Sequence, residues 1–185
     1  VPDIVEIIKE QHRQVDDLLS RAEKDDSDRA GLVREAARML LPHSAAEEDF
    51  VYPAIRKKAA ESGEEVRDGV VEHHQIEEML TNLLDGSPDD PGYDGTLAAI
   101  IGELRHHVRE EEEDLLPILT ERLSDADREA MGRRFAEATT GELPGSGRSA
   151  GGDTRRELYE RAKEQDIPGR SRMTKEELAQ AVSEG

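Results

Sequence analysis

The sequence predicts an all-α chain whose main body is an up-down-up-down four-helix bundle. Apolar residues recur at steps of three and four over about the first 140 positions, the period of a helix with one buried face. Breaks rich in Asp, Ser, Gly and Pro divide that stretch into four segments. The third and fourth segments repeat the polar signature of the first and second, as two copies of one αα-hairpin would.

Helix one carries Ile4, Ile8, His12, Val15, Leu19 and Ala22 on one stripe and stops at Asp25-Asp26-Ser27. Helix two carries Leu32, Ala36, Leu40, His43, Glu47, Phe50 and Ala54 and stops at Glu61-Ser62-Gly63. Helix three carries Val66, Val70, His73, Ile76, Leu80 and Leu83 and stops at Asp85-Gly86-Ser87-Pro88. Helix four carries Leu97, Ile100, Leu104, His107, Glu111, Leu115 and Ile118. Pro53 and Pro117 fall at the distal ends of helices two and four, where a proline is tolerable. Pro42 lies within the second stripe, and a bend is expected there that would aim His43. A short fifth helix is expected from Ser124, an N-cap with Asp127 three residues on, to about Thr139. Residues 1–140 thus form the bundle, the Gly- and Ser-rich residues 141–152 a flexible linker, and residues 153–185 a small helical module. The last of these is too short for a large core of its own.

Composition narrows the chemistry. With 25 Lys+Arg against 44 Asp+Glu the net charge is −19, a poor match for coating nucleic acid or an anionic membrane. The chain has no Cys, which excludes disulfides, thiolate nucleophiles and thiolate-held clusters, so any metal must rest on His and carboxylate. Val1-Pro2-Asp3-Ile4-Val5-Glu6 has neither a basic region nor a long apolar run. No signal peptide or membrane span is therefore expected, and the expected location is cytoplasmic. His-Glu-x-x-His, phosphate-binding glycine loops and Gly-x-Ser-x-Gly are absent. A Glu-x-x-His pair occurs at Glu103 and His106, off the main stripe.

The repeat concentrates ligating residues. His43-x-x-x-Glu47-Glu48 with Tyr52-Pro53 behind it matches His107-x-x-x-Glu111-Glu112 with Leu116-Pro117 behind it. His and Glu four residues apart point the same way from successive helical turns. His12-Arg-Gln-Val-Asp16 likewise matches His73-His-Gln-Ile-Glu77. Charged groups inside an apolar stripe are costly unless compensated. Two hairpins related by an approximate two-fold would set His12 and His43 on one ion and His73 and His107 on another, with Glu47 and Glu111 bridging. Imidazole and carboxylate suit iron, so two Fe ions are expected. Asp16 and Glu77 are candidates for additional ligands or for acceptors of imidazole N–H groups. His74 and His106, each rotated ~100° off the stripe, are expected at the surface or rim. Glu48 and Glu112 come next in line if the helices rotate slightly, and Tyr52 is expected to pack rather than ligate.

These residues together give a chain that resembles the hemerythrin-like, HHE cation-binding proteins over roughly residues 1–125. The resemblance implies a four-helix bundle holding a non-haem di-iron centre that meets O2, H2O2 or NO. Two departures stand out. Oxygen-carrying hemerythrins place a second His four residues after the helix-three His, where this chain has Glu77, and use Asp as the second bridge, where it has Glu111. A more anionic ligand set favours ferric iron. It shifts the expectation from reversible oxygen storage to sensing or consuming a small oxidant, or to iron handling. A catalase-like peroxide scavenger using the same site is the alternative.

The tail, with Leu158, Tyr159 and Ala162 before Ile167-Pro-Gly and Leu178 after it, resembles the small helix–loop–helix of the Rho N-terminal region and SAP-like modules. That resemblance implies nucleic-acid contact through Arg170, Arg172 and Lys175. The 7 basic and 8 acidic residues of 153–185 imply weak affinity at most, and a protein-docking helical pair is an equal reading.

Overall fold

Asp3 starts the first helix. Its carboxylate accepts from the backbone N–H groups of Val5 and Glu6, and Glu6 reaches back to the Asp3 N–H, closing a capping box ahead of α1 (Ile4–Lys24). The computed structural model describes residues 3–25, 27–140, 158, 161–163, 165, 167, 170, 173 and 175–184. Within them α2 (Arg29–Ala46) runs through Pro42 and leads into α3 (Tyr52–Lys58), then α4 (Gly63–Asp85), α5 (Tyr93–Glu110) and α6 (Leu116–Arg122). These elements form an all-α bundle in which α1 packs on α2 and α4 on α5. Gly92, at φ +92°, makes the left-handed entry into α5 that a side chain would resist.

α2 continues through Pro42 as α-helix, and the irregular turn begins five residues later. Glu47–Val51 and Glu111–Leu115 are π-helical turns, in which the N–H of Tyr52 reaches the Glu47 carbonyl and that of Leu116 reaches Glu111. The cause is the proline that follows each. Pro53 and Pro117 have no N–H, and their rings would collide with a carbonyl four residues back in a regular helix. Widening the preceding turn relieves that collision. The added residue slips the downstream stripe by one position. Ile55 rather than Ala54 is fully buried, and Leu119 rather than Ile118.

Two apolar clusters fill the bundle. One joins Val15, Leu19, Ala36, Leu40, Ile76, Leu80, Leu97, Ile100 and Leu104. The other joins Ile4, Ile8, Phe50, Ile55, Val70, Leu116 and Leu119. The residues expected to bind metal fall between the clusters on every long helix, so the polar layer is closed off at both ends. The fifth helix, α7 (Asp125–Thr139), packs on α1 and α2 and drives Phe135 into the second cluster. Arg128 pairs with Asp3 at 3.0 Å, and Arg134 pairs with Asp49 at 3.1 Å while its guanidinium covers the Phe50 ring.

The expected linker, residues 141–152, and Arg172 lie outside the described residues, as does the side chain of Lys175. In the tail, Leu158, Ala162 and Leu178 are buried together against Ile167, Met173 and Val182, with α8 (Lys175–Glu184) as the final helix. Arg170 donates to the Ile167 carbonyl at 3.0 Å, which ties its guanidinium to the backbone of its own loop.

Candidate metal centre

The structure brings His12, His43, Glu47, His73, His107 and Glu111 into one layer, each no more than 3% exposed. His12 Nε2 and His43 Nε2 are 3.2 Å apart, and His73 Nε2 and His107 Nε2 are 3.0 Å apart. Glu47 spans the two pairs, with Oε1 3.0 Å from His43 and Oε2 3.3 Å from His73. Glu111 spans them from the other hairpin, with Oε2 3.3 Å from His12 and 3.8 Å from His107. His12, His43 and Glu47 lie close enough to share one cation, and Glu47, His73 and His107 another.

A second ring of contacts fixes the proton on each imidazole. The acceptors at Nδ1 are Glu112 for His12 (3.0 Å), Gln11 for His43 (2.8 Å), Glu48 for His73 (3.2 Å) and Glu72 for His107 (2.9 Å). All four are oxygens, so each Nδ1 donates and each neutral ring turns its Nε2 lone pair inward. This ring obeys the repeat. Gln11 precedes His12 as Glu72 precedes His73, and Glu48 follows Glu47 as Glu112 follows Glu111. Gln11 in turn donates to Thr139 Oγ1 at 2.9 Å, and Phe135 sets its edge against the His43 ring, so α7 braces the centre.

Four lone pairs converging on two buried carboxylates repel unless positive charge enters. The oxygens of Glu47 and Glu111 have no hydrogen-bond partner, a costly state for buried carboxylates. Protonation behaviour records the same demand. Burial opposes charge on His12 and His73, but Glu111 with Glu112 and Glu47 with Glu48 outweigh it, raising them to about 9 and about 10. At His43 burial, joined by the charge of neighbouring His12, outweighs Glu47 and Glu111 and lowers the pKa. Burial likewise acts against ionised Glu47 and Glu48, yet the imidazoles beside them hold Glu47 well below the ordinary range and Glu48 at about 2. A cation at each histidine pair removes the repulsion and meets the carboxylates' need, so the residues fit a metal pair.

Residues 3–119 match the hemerythrin HHE cation binding domain. The chain belongs to the hemerythrin HHE cation-binding family. It is 30% identical over 97 residues to an uncharacterized hemerythrin-like protein of Schizosaccharomyces pombe, a match over 52% of this chain and 48% of that one, so it spans about half of that relative's length. Its fold is similar to the crystal structure of a hemerythrin HHE cation binding domain-containing protein from Mycobacterium kansasii, a Rv2633c homolog. That likeness has a TM-score of 0.66 at 23% identity and covers 98% of this chain and 99% of the other. No helix among the described residues is long and apolar enough to cross a membrane.

Other sequence expectations meet different surroundings. Asp16 lies on the rim, where Arg105 grips it through Nε at 2.6 Å, so it is neither a donor to the pocket nor an imidazole acceptor. Glu77 is half-buried one turn past His73 and outside the six-residue set. His74, expected at the surface, is 8% exposed with Nε2 3.6 Å from Glu48. His106 does sit on the rim. Tyr52 does more than pack. The π turn swings it inward, where its ring stacks on His73 and its hydroxyl comes within 3.5 Å of His73 Nε2. Gly69 clears the space, since a Cβ there would lie 3.1 Å from that hydroxyl. The signals for these contacts were present as the Tyr-Pro and Leu-Pro pairs and the matched Gln11 and Glu72.

Proposed function

We propose that this protein is a non-haem di-iron protein whose buried pocket binds or senses a small oxidant, O2, H2O2 or NO. In this reading His12 and His43 would hold one iron and His73 and His107 the other, with Glu47 and Glu111 as the carboxylates available to both. The observation that carries it is the set of four inward-facing Nε2 atoms around two buried carboxylates that lack hydrogen-bond partners. When bound, the iron pair would supply electrons to the oxidant.

The chain's own residues set the conditions for that chemistry. The carboxylates of Glu112, Glu48 and Glu72 strengthen three of the imidazoles as donors, whereas His43 has only the neutral amide of Gln11. The His73–His107 pair would therefore be the stronger electron donor to a bound ion. The apolar clusters above and below exclude bulk water. Burial and the nearby negative charge of Glu111, Glu47 and Glu48 keep the Tyr52 hydroxyl protonated, so it presents an O–H beside His73. That O–H also favours a second reading, a catalase-like peroxide scavenger, because splitting a peroxide needs a proton close to the leaving oxygen.

The test is anaerobic loading with Fe(II) followed by air. About two irons per chain and a visible absorption band after oxidation are expected. A colourless protein that retains no iron would overturn the proposal. Continuous O2 release from H2O2, as opposed to a single stoichiometric oxidation, would select the scavenger.

A further inference from the structure

We infer that Glu72, His106 and Glu110 form an outer station for a divalent cation, and that the acid-lined cavity behind them delivers this cation to the buried pocket. The inference rests on the reading that the pocket holds metal. Ligand atoms of these three residues lie within 4.8 Å of one another. His106 Nε2 is 3.2 Å from Glu110 Oε1 and 3.5 Å from Glu72 Oε1. The other oxygen of Glu72 accepts from His107 Nδ1 at 2.9 Å, so one carboxylate touches both the outer group and an inner imidazole.

Behind the station lies a cavity of about 50 Å3 walled by Glu65, Asp68, Glu72, Glu110, Glu111 and Asp114. Glu111 is 1% exposed, and both of its oxygens lack a hydrogen-bond partner. The space suits one or two waters, so a cation passing through has shed most of its hydration shell onto carboxylates.

The internal repeat shows that this acidity is placed and not general. Glu65, Asp68 and Glu72 correspond to Ile4, Ile7 and Gln11 in the first hairpin, while Glu110 and Asp114 correspond to Ala46 and Phe50. On that side the equivalent opening is apolar and covered by Phe135 of α7. On this side the same positions are anionic. The larger groove beside His12 sets Lys9, Arg13, Arg105 and Arg109 against Asp16, Glu112 and Glu113 in its walls, so unlike the smaller cavity it has no excess of negative charge to draw a cation. The carboxylate and imidazole donors of the station match Fe(II) or Mn(II). Arg109 donates to His106 Nδ1 at 3.1 Å, so cation binding at Nε2 moves the ring proton to Nδ1 and turns the exposed Arg109 into solvent.

The experiment is stopped-flow uptake of Fe(II) by full-length metal-free protein under anaerobic conditions, with the final iron content measured separately. His106→Ala with Glu110→Gln is expected to slow uptake about tenfold, the scale of lost electrostatic steering, and to leave the endpoint and the oxidised spectrum unchanged. Glu65→Gln with Asp68→Asn, on the opposite lip, should slow uptake too, and the exposed Glu35→Gln should not. In wild-type protein already filled with iron, Mn(II) should bind one further site that His106→Ala with Glu110→Gln removes. Unchanged uptake rates in both lip variants, or a lowered endpoint at an unchanged rate, would overturn the route. Wild-type protein that takes up no Fe(II) would overturn the underlying reading and this inference with it.

Discussion

Stripping the metal from the pocket should leave a protein that weakens as the solution becomes alkaline. Without a cation, a proton on His12 supplies the charge that Glu111 and Glu112 require, at 3.3 and 3.0 Å. Burial resists that proton, yet the carboxylates raise the His12 pKa from 6.5 to about 9. A folded-state value above the unfolded one means stabilisation that is complete below about 6.5 and lost as pH rises through about 9. The interval corresponds to ~3 kcal/mol at one group. His73 behaves alike, but it shares Glu47 with the same pocket, so the two contributions do not simply add. For a chain of this size ~3 kcal/mol is about 10 °C in Tm. Circular dichroism melts of the metal-free protein should therefore show Tm falling by about 10 °C between pH 6.5 and 9.5. The metal-loaded protein should show a much flatter profile, because the cation has replaced the proton. A metal-free Tm that is constant or rises over this range would refute the charge-compensation argument.

Three further outcomes follow from named contacts. Gly69→Ala should destabilise by about 1–3 kcal/mol in urea denaturation, because its Cβ would press on the Tyr52 hydroxyl at 3.1 Å, and Tyr52→Phe in the same chain should recover much of the loss. Phe135→Ala should cost about 3–5 kcal/mol by the same measurement, since the ring is fully buried against Phe50 and His43; an unchanged midpoint would place α7 outside the cooperative unit. Asp3→Ala should cost about 1 kcal/mol at pH 7. Burial raises the Asp3 pKa, but Arg128 and the backbone N–H groups of Glu6 and Val5 outweigh it and lower the net value. The difference between variant and parent should then persist above pH 3.8 and fade as pH drops through the lower folded value.

The bundle was legible in the sequence because each long helix keeps one apolar stripe, and the six converging donors were legible because they sit on those stripes and occur twice. Periodicity failed where the helix itself changes. A reading in steps of three and four assumes a regular helix, so it assigned Ala54 and Ile118 to the core, whereas the π turns bury Ile55 and Leu119 and swing Tyr52 onto His73. The acceptors behind the imidazoles were hidden for a different reason. Glu112 reaches His12 from a segment 100 residues away, a pairing that only the packed bundle creates. Asp16 matched Glu77 in the repeat, yet Arg105 captured it, a competition between solvent-facing groups that spacing does not reveal. The fifth helix was legible from its Ser124 cap, but its slight apolar content gave no sign that Phe135 and Thr139 reach into the braces of the centre.

Both hairpins carry the same widened turn, at the same glutamate and ahead of the same proline. Each hairpin brings two of the four imidazoles and one of the two carboxylates, so neither can surround a cation pair unless the other serves as its second wall. The two mouths are nevertheless built from different residues, one sealed with aromatic cover and the other left acidic.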